Sequence, residues 1–277
     1  MSPDPHSEGE ILPPHYAEAQ SRPMPDYAEE QTRVTNRGRS FFRAPGTYSL
    51  VAINCAVFLW MLLHGVPANS PTPGQLVHFG ANVPVLVLHG EWYRLLTATF
   101  VHVGIIHLAT NMWCLWNLGL LGEPLLGPLG LVAVYMITGI AGNLLSLGLN
   151  VFWTRDYISV GAGASGAVFG IAGILIVLLS NHKLPIPIYE LKRLRRSVIQ
   201  FAALNLIIGL GTAVVPVGIR IDNSAHLGGF LSGLALGVPL VPRMTSGRVR
   251  YLQRQKLTFV LAVFVLSLFG YFITKLR

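Results

Sequence analysis

Seven apolar runs limit what this chain can fold into. They fall at about 47–65, 102–121, 127–148, 163–180, 197–216, 224–241 and 257–274. A helix needs roughly 20 apolar residues to cross the hydrocarbon of a bilayer, and these runs are close to that length. In lipid, every backbone N–H and C=O must find its partner inside the protein, so runs of this length span as helices. The chain is 52% hydrophobic and 12% charged, about half the charged fraction of a soluble domain. The expected fold is an all-α polytopic membrane protein.

The charged residues then orient the runs. Of the 20 Lys and Arg residues, fifteen fall in the first 45 residues and in the loops 181–196 and 242–256. The other five are Arg94, Arg155, Arg220, Lys275 and Arg277. Basic residues concentrate in cytosolic loops, so an amino terminus in the cytosol is expected, with seven spans following. The net charge of +8 is accounted for by this topology, and no nucleic-acid partner is called for. Residues 1–45 are rich in Pro and acidic residues until Arg33, Arg37, Arg39 and Arg43, and read as a disordered cytosolic tail. They contain no apolar core of a cleavable signal peptide. Cys55 and Cys114 both lie inside spans and read as buried, inert thiols.

On this topology, spans two, four and six start on the same, outer side. Span four opens with Gly161-Ala162-Gly163-Ala164-Ser165-Gly166-Ala167-Val168-Phe169-Gly170. Span six opens with Asp222-Asn223-Ser224-Ala225-His226. Span two carries His102, His107 and Asn111. His107 and Asn111 are four apart and share a helix face. His102 is expected about 140° away around the same helix, in a different role. Three parallel helices therefore bring His107, Asn111, Ser165 and His226 to one depth. Polar and ionisable groups in a membrane interior mark function by default. Gly166 with Gly170, and Gly229 with Gly233, are spaced for close helix contact, which would hold Ser165 near His226. Phe169 is one turn below Ser165 and would form a floor under the imidazole.

A serine hydroxyl needs a base to become a nucleophile, and neutral imidazole suits that task near pH 7. The Ser165 N–H, the His107 side chain and the Asn111 amide are candidate donors to a tetrahedral oxyanion. Asp222 lies four residues before His226, but at the loop edge. It is expected to point to water, which leaves a two-residue catalytic pair. The soluble hydrolase elbow Gly-x-Ser-x-Gly would need glycine where Ala167 stands. No His-Glu-x-x-His is present, and His102 and His107 lack an acidic or thiol partner at their level, so neither a metal nor another cofactor is expected. The first loop, about 66–100, is long enough to be functional or disordered. Its aromatics, Trp92 among them, suit the membrane interface.

These residues resemble the rhomboid intramembrane serine proteases. Gly163-Ala164-Ser165-Gly166 resembles that family's Gly-x-Ser-Gly motif. Ala225-His226-x-x-Gly229-x-x-x-Gly233 resembles its base-bearing helix, and His102, His107 and Asn111 match its His-x4-His-x3-Asn pattern. Glu123 stands at what looks like the family's acidic position. The resemblance covers about 47–241. It implies a rhomboid-like six-helix core over 46–242, with a basic loop and a seventh, carboxy-terminal helix over 243–277. It also implies a first loop lying partly in the membrane, Ser165 and His226 as the catalytic dyad, and His107, Asn111 and the Ser165 amide as the oxyanion site. Single-pass transmembrane proteins are the implied substrates, cut near the outer end of their membrane helix, with surrounding lipid as the other partner. A bacterial cytoplasmic membrane is the expected location.

Two positions depart from the family pattern. The usual Trp-Arg pair of the first loop is Tyr93-Arg94 here, after Trp92, and the ring after the serine is Phe169 where Tyr is common. Two other classes of function fit the pattern less well. A non-catalytic rhomboid-like protein that escorts membrane clients typically lacks the serine or the histidine, and both are present. A transporter with a histidine proton path would show repeated halves, and none is evident.

Overall fold

The computed structural model describes residues 44–214, 222–241, 244–245 and 247–276. The amino-terminal tail, Arg220, Arg243 and Arg277 lie outside the described residues. Among the described residues the long helices are α1 (Pro45–Leu63), α5 (Ile105–Leu126), α6 (Pro128–Leu149), α7 (Ser165–Leu178), α8 (Ile188–Val214), α9 (Asn223–Gly237) and α10 (Arg248–Lys275). Three short helices lie between α1 and α5: α2 (Pro73–His78), α3 (Pro84–Leu88) and α4 (Arg94–Thr97). The protein is an all-α polytopic integral membrane protein. On length and composition alone, α1, α6 with the π turn that follows it, and α10 can each cross a bilayer.

Helix α7 has 14 residues, and every one from Gly166 to Leu175 is buried. It runs through protein on all sides, and the other helices wrap it. Contacts fix their directions. Gly166 meets Gly229 and Gly170 meets Gly233, so α7 and α9 run parallel. His107 meets Gly163, and Gly122 meets Ile171 and Leu175, so α5 is parallel to both. Helix α6 runs the opposite way, with Thr138 against Gly170 and Gly139 against Ala167. A Cβ on Gly229 or Gly233 would collide with the carbonyl oxygen of Gly166 or Gly170. Small residues allow such approach in lipid, where apolar surface alone gives helices no reason to associate.

Two helix ends are tied by distant side chains. The first N–H groups of a helix have no intrahelical partner and favour negative charge. For α1 the partner is the buried Glu123 of α5, which accepts from Gly46 N at 2.9 Å, Thr47 N at 2.7 Å and Thr47 Oγ1 at 2.7 Å. At the end of α5, the Leu125 and Leu126 carbonyls accept from Tyr251 and Gln255 of α10, both at 3.0 Å. Helix α10 is thereby fastened to the core.

The structure corrects several expected boundaries. Helix α8 starts at Ile188 and α10 at Arg248, so Lys192–Arg196 and Arg248–Lys256 lie on helices and not in loops. Apolarity ends where the charges begin, but Arg, Lys, Gln and Leu are good helix formers, and an Arg193–Glu190 pair at 2.8 Å adds to the first turns of α8. The first loop is not irregular. A capping box between Thr72 and Gln75 starts α2, and Pro73 and Pro84 open α2 and α3. Arg94 is buried there, donating to the carbonyls of Val77 at 2.7 Å and Ala81 at 3.1 Å and pairing with Glu91 at 2.7 Å. It fastens α4 to the end of α2.

Candidate active site

Ser165 is the first residue of α7, and the strand-like segment before it is held by the first loop. Gly161 and Asn82 exchange two backbone hydrogen bonds of 2.8 Å, and Gly163 N donates to Ala98 O at 2.9 Å. Gly163 has φ +134°, a left-handed conformation that side chains resist. A Cβ there would also lie 2.6 Å from Cε1 of His107. Glycine is thus required twice at this position, by the turn into the helix and by the imidazole beside it.

His226 sits in the first turn of α9, whose start is capped by Asp222. The Asp222 carboxylate accepts from Ser224 N and Ala225 N, both at 3.0 Å, and from Ser146 Oγ of α6 at 2.5 Å. The expectation that Asp222 points to water is therefore wrong. An aspartate before a helix is an N-cap first, and a neighbouring hydroxyl on α6 completes its shell. Its carboxylate makes no bond to His226, whose buried Nδ1 is without a partner among the described residues.

The starts of α7 and α9 touch. A Cβ on Gly166 would be 3.2 Å from Ala225 O, so the neighbours of Ser165 and His226 are in contact. The Phe169 ring stacks on the His226 imidazole, with centroids 4.4 Å apart and planes 16° from parallel. No hydrogen bond joins Ser165 Oγ to the imidazole among the described residues. Catalytic hydrogen bonds are often long before substrate arrives and tighten only in the complex.

His107 leans onto the serine segment through Gly163, and its buried Nδ1 has no partner among the described residues. The buried Asn111 amide donates to the His107 carbonyl at 2.9 Å. His102 precedes α5, which begins at Ile105, so the expected 140° separation around one helix does not hold. The Gly104 turn, with φ +151°, folds the chain so that the His102 and His107 rings lie 5.3 Å apart. His102 is fully buried, with Nδ1 3.2 Å from Phe100 O and Nε2 unpartnered among the described residues. Gly166, Gly229 and Gly233 stand at the helix crossings described above.

Sequence reasoning missed the asparagines that support the serine segment. Asn143 of α6 donates to Leu95 O at 2.8 Å, and Asn82 donates to Asn143 O at 3.4 Å. Asn82 is also the residue bridged to Gly161. For Asn143 the signal was present, since an asparagine inside an apolar run is costly unless it is bonded to protein; Asn82, in the first loop, gave none.

Comparison with known proteins bears on these residues. A family model described as the Rhomboid domain matches residues 89–243, so α1 and most of the first loop lie outside it. The "Rhomboid protease GluP" of Bacillus subtilis (strain 168) is 38% identical over 198 residues, covering 70% of this chain and 35% of that protein. The "Rhomboid protease AarA" of Providencia stuartii is 31% identical over 232 residues, 77% of this chain and 80% of that one. "RHOMBOID-like protein 5" of Arabidopsis thaliana is 35% identical over 181 residues, 65% of this chain and 54% of that protein. The matched part of this chain thus spans about a third of GluP and about four-fifths of AarA.

Proposed function

The chain belongs to the rhomboid family, and from that membership we propose that it is an intramembrane serine endopeptidase with Ser165 as nucleophile and His226 as general base. The observation that carries this reading is the contact of two helix starts, with Ser165 opening α7, His226 in the first turn of α9, and Phe169 stacked on the imidazole. The stack fixes the ring plane. The Asp222 carboxylate is occupied by the α9 cap and by Ser146, which favours a dyad over a triad.

In the proposed reaction His226 takes the Ser165 proton as Oγ attacks the scissile carbonyl. The developing oxyanion is stabilised by the Ser165 N–H, the His107 ring and the free amide hydrogen of Asn111. One such donor is worth about 3–4 kcal/mol of transition-state stabilisation. His226 then returns the proton to the leaving amine. Phe169 supplies the ring under the base without a hydroxyl. His102 steadies His107, and Gly163, Gly166, Gly229 and Gly233 hold the helices close enough. Substrates are membrane-spanning proteins, single-pass ones first, cut near the end of their membrane helix on the Ser165 side. The substrate must unwind there, because a helix hides its carbonyls. The catalytic core is 46–242, with a cytosolic tail before it and 243–277 as an appended helix. The host is a cytoplasmic membrane.

The test is labelling of detergent-purified protein by a fluorophosphonate or isocoumarin probe, with cleavage of a membrane-helix substrate in parallel. Ser165→Ala and His226→Ala should abolish labelling and lower turnover on the order of 10⁴- to 10⁶-fold, with folding intact. Asp222→Asn should keep labelling within about threefold, where a triad aspartate would cost about 10⁴-fold. Folded wild type that neither labels nor cleaves would overturn the reading in favour of a client-binding protein.

A further inference from the structure

A cavity of about 460 Å³ lies on the opposite side of α6 from His226. Its walls are Trp92 and Leu95 of the first loop, Ile140 and Leu144 of α6, and Leu266 and Gly270 of α10. The lining is mostly aliphatic. The polar groups on α10 are Ser267, Tyr271 and Thr274, and the Lys275 ammonium lies 5.8 Å from the Tyr271 ring centroid. The dyad uses none of these residues.

We propose that this cavity binds one tail of an anionic glycerophospholipid from the leaflet on the Ser165 side, with Lys275 holding the headgroup phosphate. Three observations select that occupant. The first is length. The cavity wall on α10 runs from Val263 to Thr274, a rise of about 16 Å at 1.5 Å per residue. That is about half of the roughly 30 Å hydrocarbon core, the depth of one leaflet. The second is width. A helix with its side chains is about 10–12 Å across, too thick for a space of this volume, whereas a single alkyl chain fits. The third is polarity. The aromatics and the lysine gather at the end where Trp92 meets α10, the arrangement expected at a headgroup; the Glu91 carboxylate beside Trp92 is paired with Arg94, and Lys275 brings a cation.

The site matters because of what its walls touch. A Cβ on Gly270 would lie 3.2 Å from Trp92 Cζ3, so α10 and the first loop already meet at the cavity's edge. Leu95 accepts from Asn143, and three residues on, Ala98 O receives the Gly163 N–H at 2.9 Å. A bound tail would fill the space between α10 and the loop that holds the serine segment.

The proposal depends on the chain's residence in a bilayer and not on the protease reading. It is tested by native mass spectrometry of the full chain in mild detergent, titrated with phosphatidylglycerol or with phosphatidylcholine of the same chains. Wild type should retain one phosphatidylglycerol in preference to phosphatidylcholine. Ser267→Phe, which fills the cavity, should lose retention of both. Lys275→Gln, at the exposed rim, should lower the preference for the anionic lipid about fivefold while still holding phosphatidylcholine. Equal retention by wild type and a folded Ser267→Phe variant would overturn it. So would an unchanged preference in Lys275→Gln, or a dimer mass in place of a lipid adduct. Serine-probe labelling is read on the same samples. Wild type that labels but retains no lipid counts against the lipid site alone, and wild type that retains lipid without labelling counts against the protease reading alone.

Discussion

Helices α9 and α10 are both apolar, yet they are held in opposite ways. Helix α9 presents Gly228, Gly229 and Gly233 to its neighbours and meets the backbone of α6 and α7 directly. Helix α10 carries a long run of Val, Leu and Phe, yet only Gln255, Thr258, Gly270 and Ile273 of the helix are buried. In water, the more apolar helix would be inside. In lipid the tails are as apolar as leucine, so hydrophobicity does not sort helices, and small residues and hydrogen bonds do. The helix that carries His226 is central because it is poor in side chains. Helix α10, whose long apolar run is rich in large side chains, is peripheral and is attached at points.

The comparison is most easily broken at Gly229. A Cβ there collides with the Gly166 carbonyl, and backbone cannot turn aside as a side chain can. Gly229→Val should cost about 3 kcal/mol or more and abolish serine-probe labelling, as read by thermal unfolding and labelling of the same preparation. A variant that melts within about 1 kcal/mol of wild type and still labels would show that α9 does not depend on backbone contact with α7.

How far this division could be read from sequence differs between the two helices. The Gly229–Gly233 spacing and the run of small residues around Ser165 announced the close crossing, because in an apolar run a glycine has little other use. The level shared by His107, Ser165 and His226 followed from three parallel spans. The connections between elements were not legible. Arg94 reads as a loop charge until α2 is seen to end at its guanidinium. His102 reads as a helix residue until Gly104 is seen to turn the chain. Asp222 reads as solvated until Ser146 is found opposite. The partners of Arg94 and Asp222 lie on other elements, where no local pattern encodes the meeting, and the His102 turn depends on a left-handed φ at Gly104 that its sequence neighbours do not announce.

A smaller effect is expected where α10 is attached. Gln255 is buried, donates to Leu126 O at 3.0 Å, and lies against Gly130. Interhelical hydrogen bonds in membranes average about 0.6 kcal/mol and reach about 1.7. Gln255→Leu should therefore lower stability by about 0.5–1.5 kcal/mol in a reversible unfolding titration, with labelling of Ser165 unchanged. A loss as large as that of Gly229→Val would mean that α10 is an integral part of the core and not an appendage fastened to it.

The smallest effect belongs to the outer face of α10. Val260 and Phe264 are one turn apart, 68% and 64% exposed, and neither lines the cavity. In water, truncating a phenylalanine matters when it leaves a hole behind. Here lipid occupies the space on both sides of the change, so no cavity forms and no protein contact of consequence is lost. The double variant Val260→Ala, Phe264→Ala should change stability by less than about 0.5 kcal/mol, measured in bicelles so that lipid is present. The helix retains ample hydropathy to remain inserted. A loss above about 1.5 kcal/mol would mean that protein, for instance a second copy of the chain, covers this face in the membrane, and α10 would then be a buried helix whose partner is another molecule.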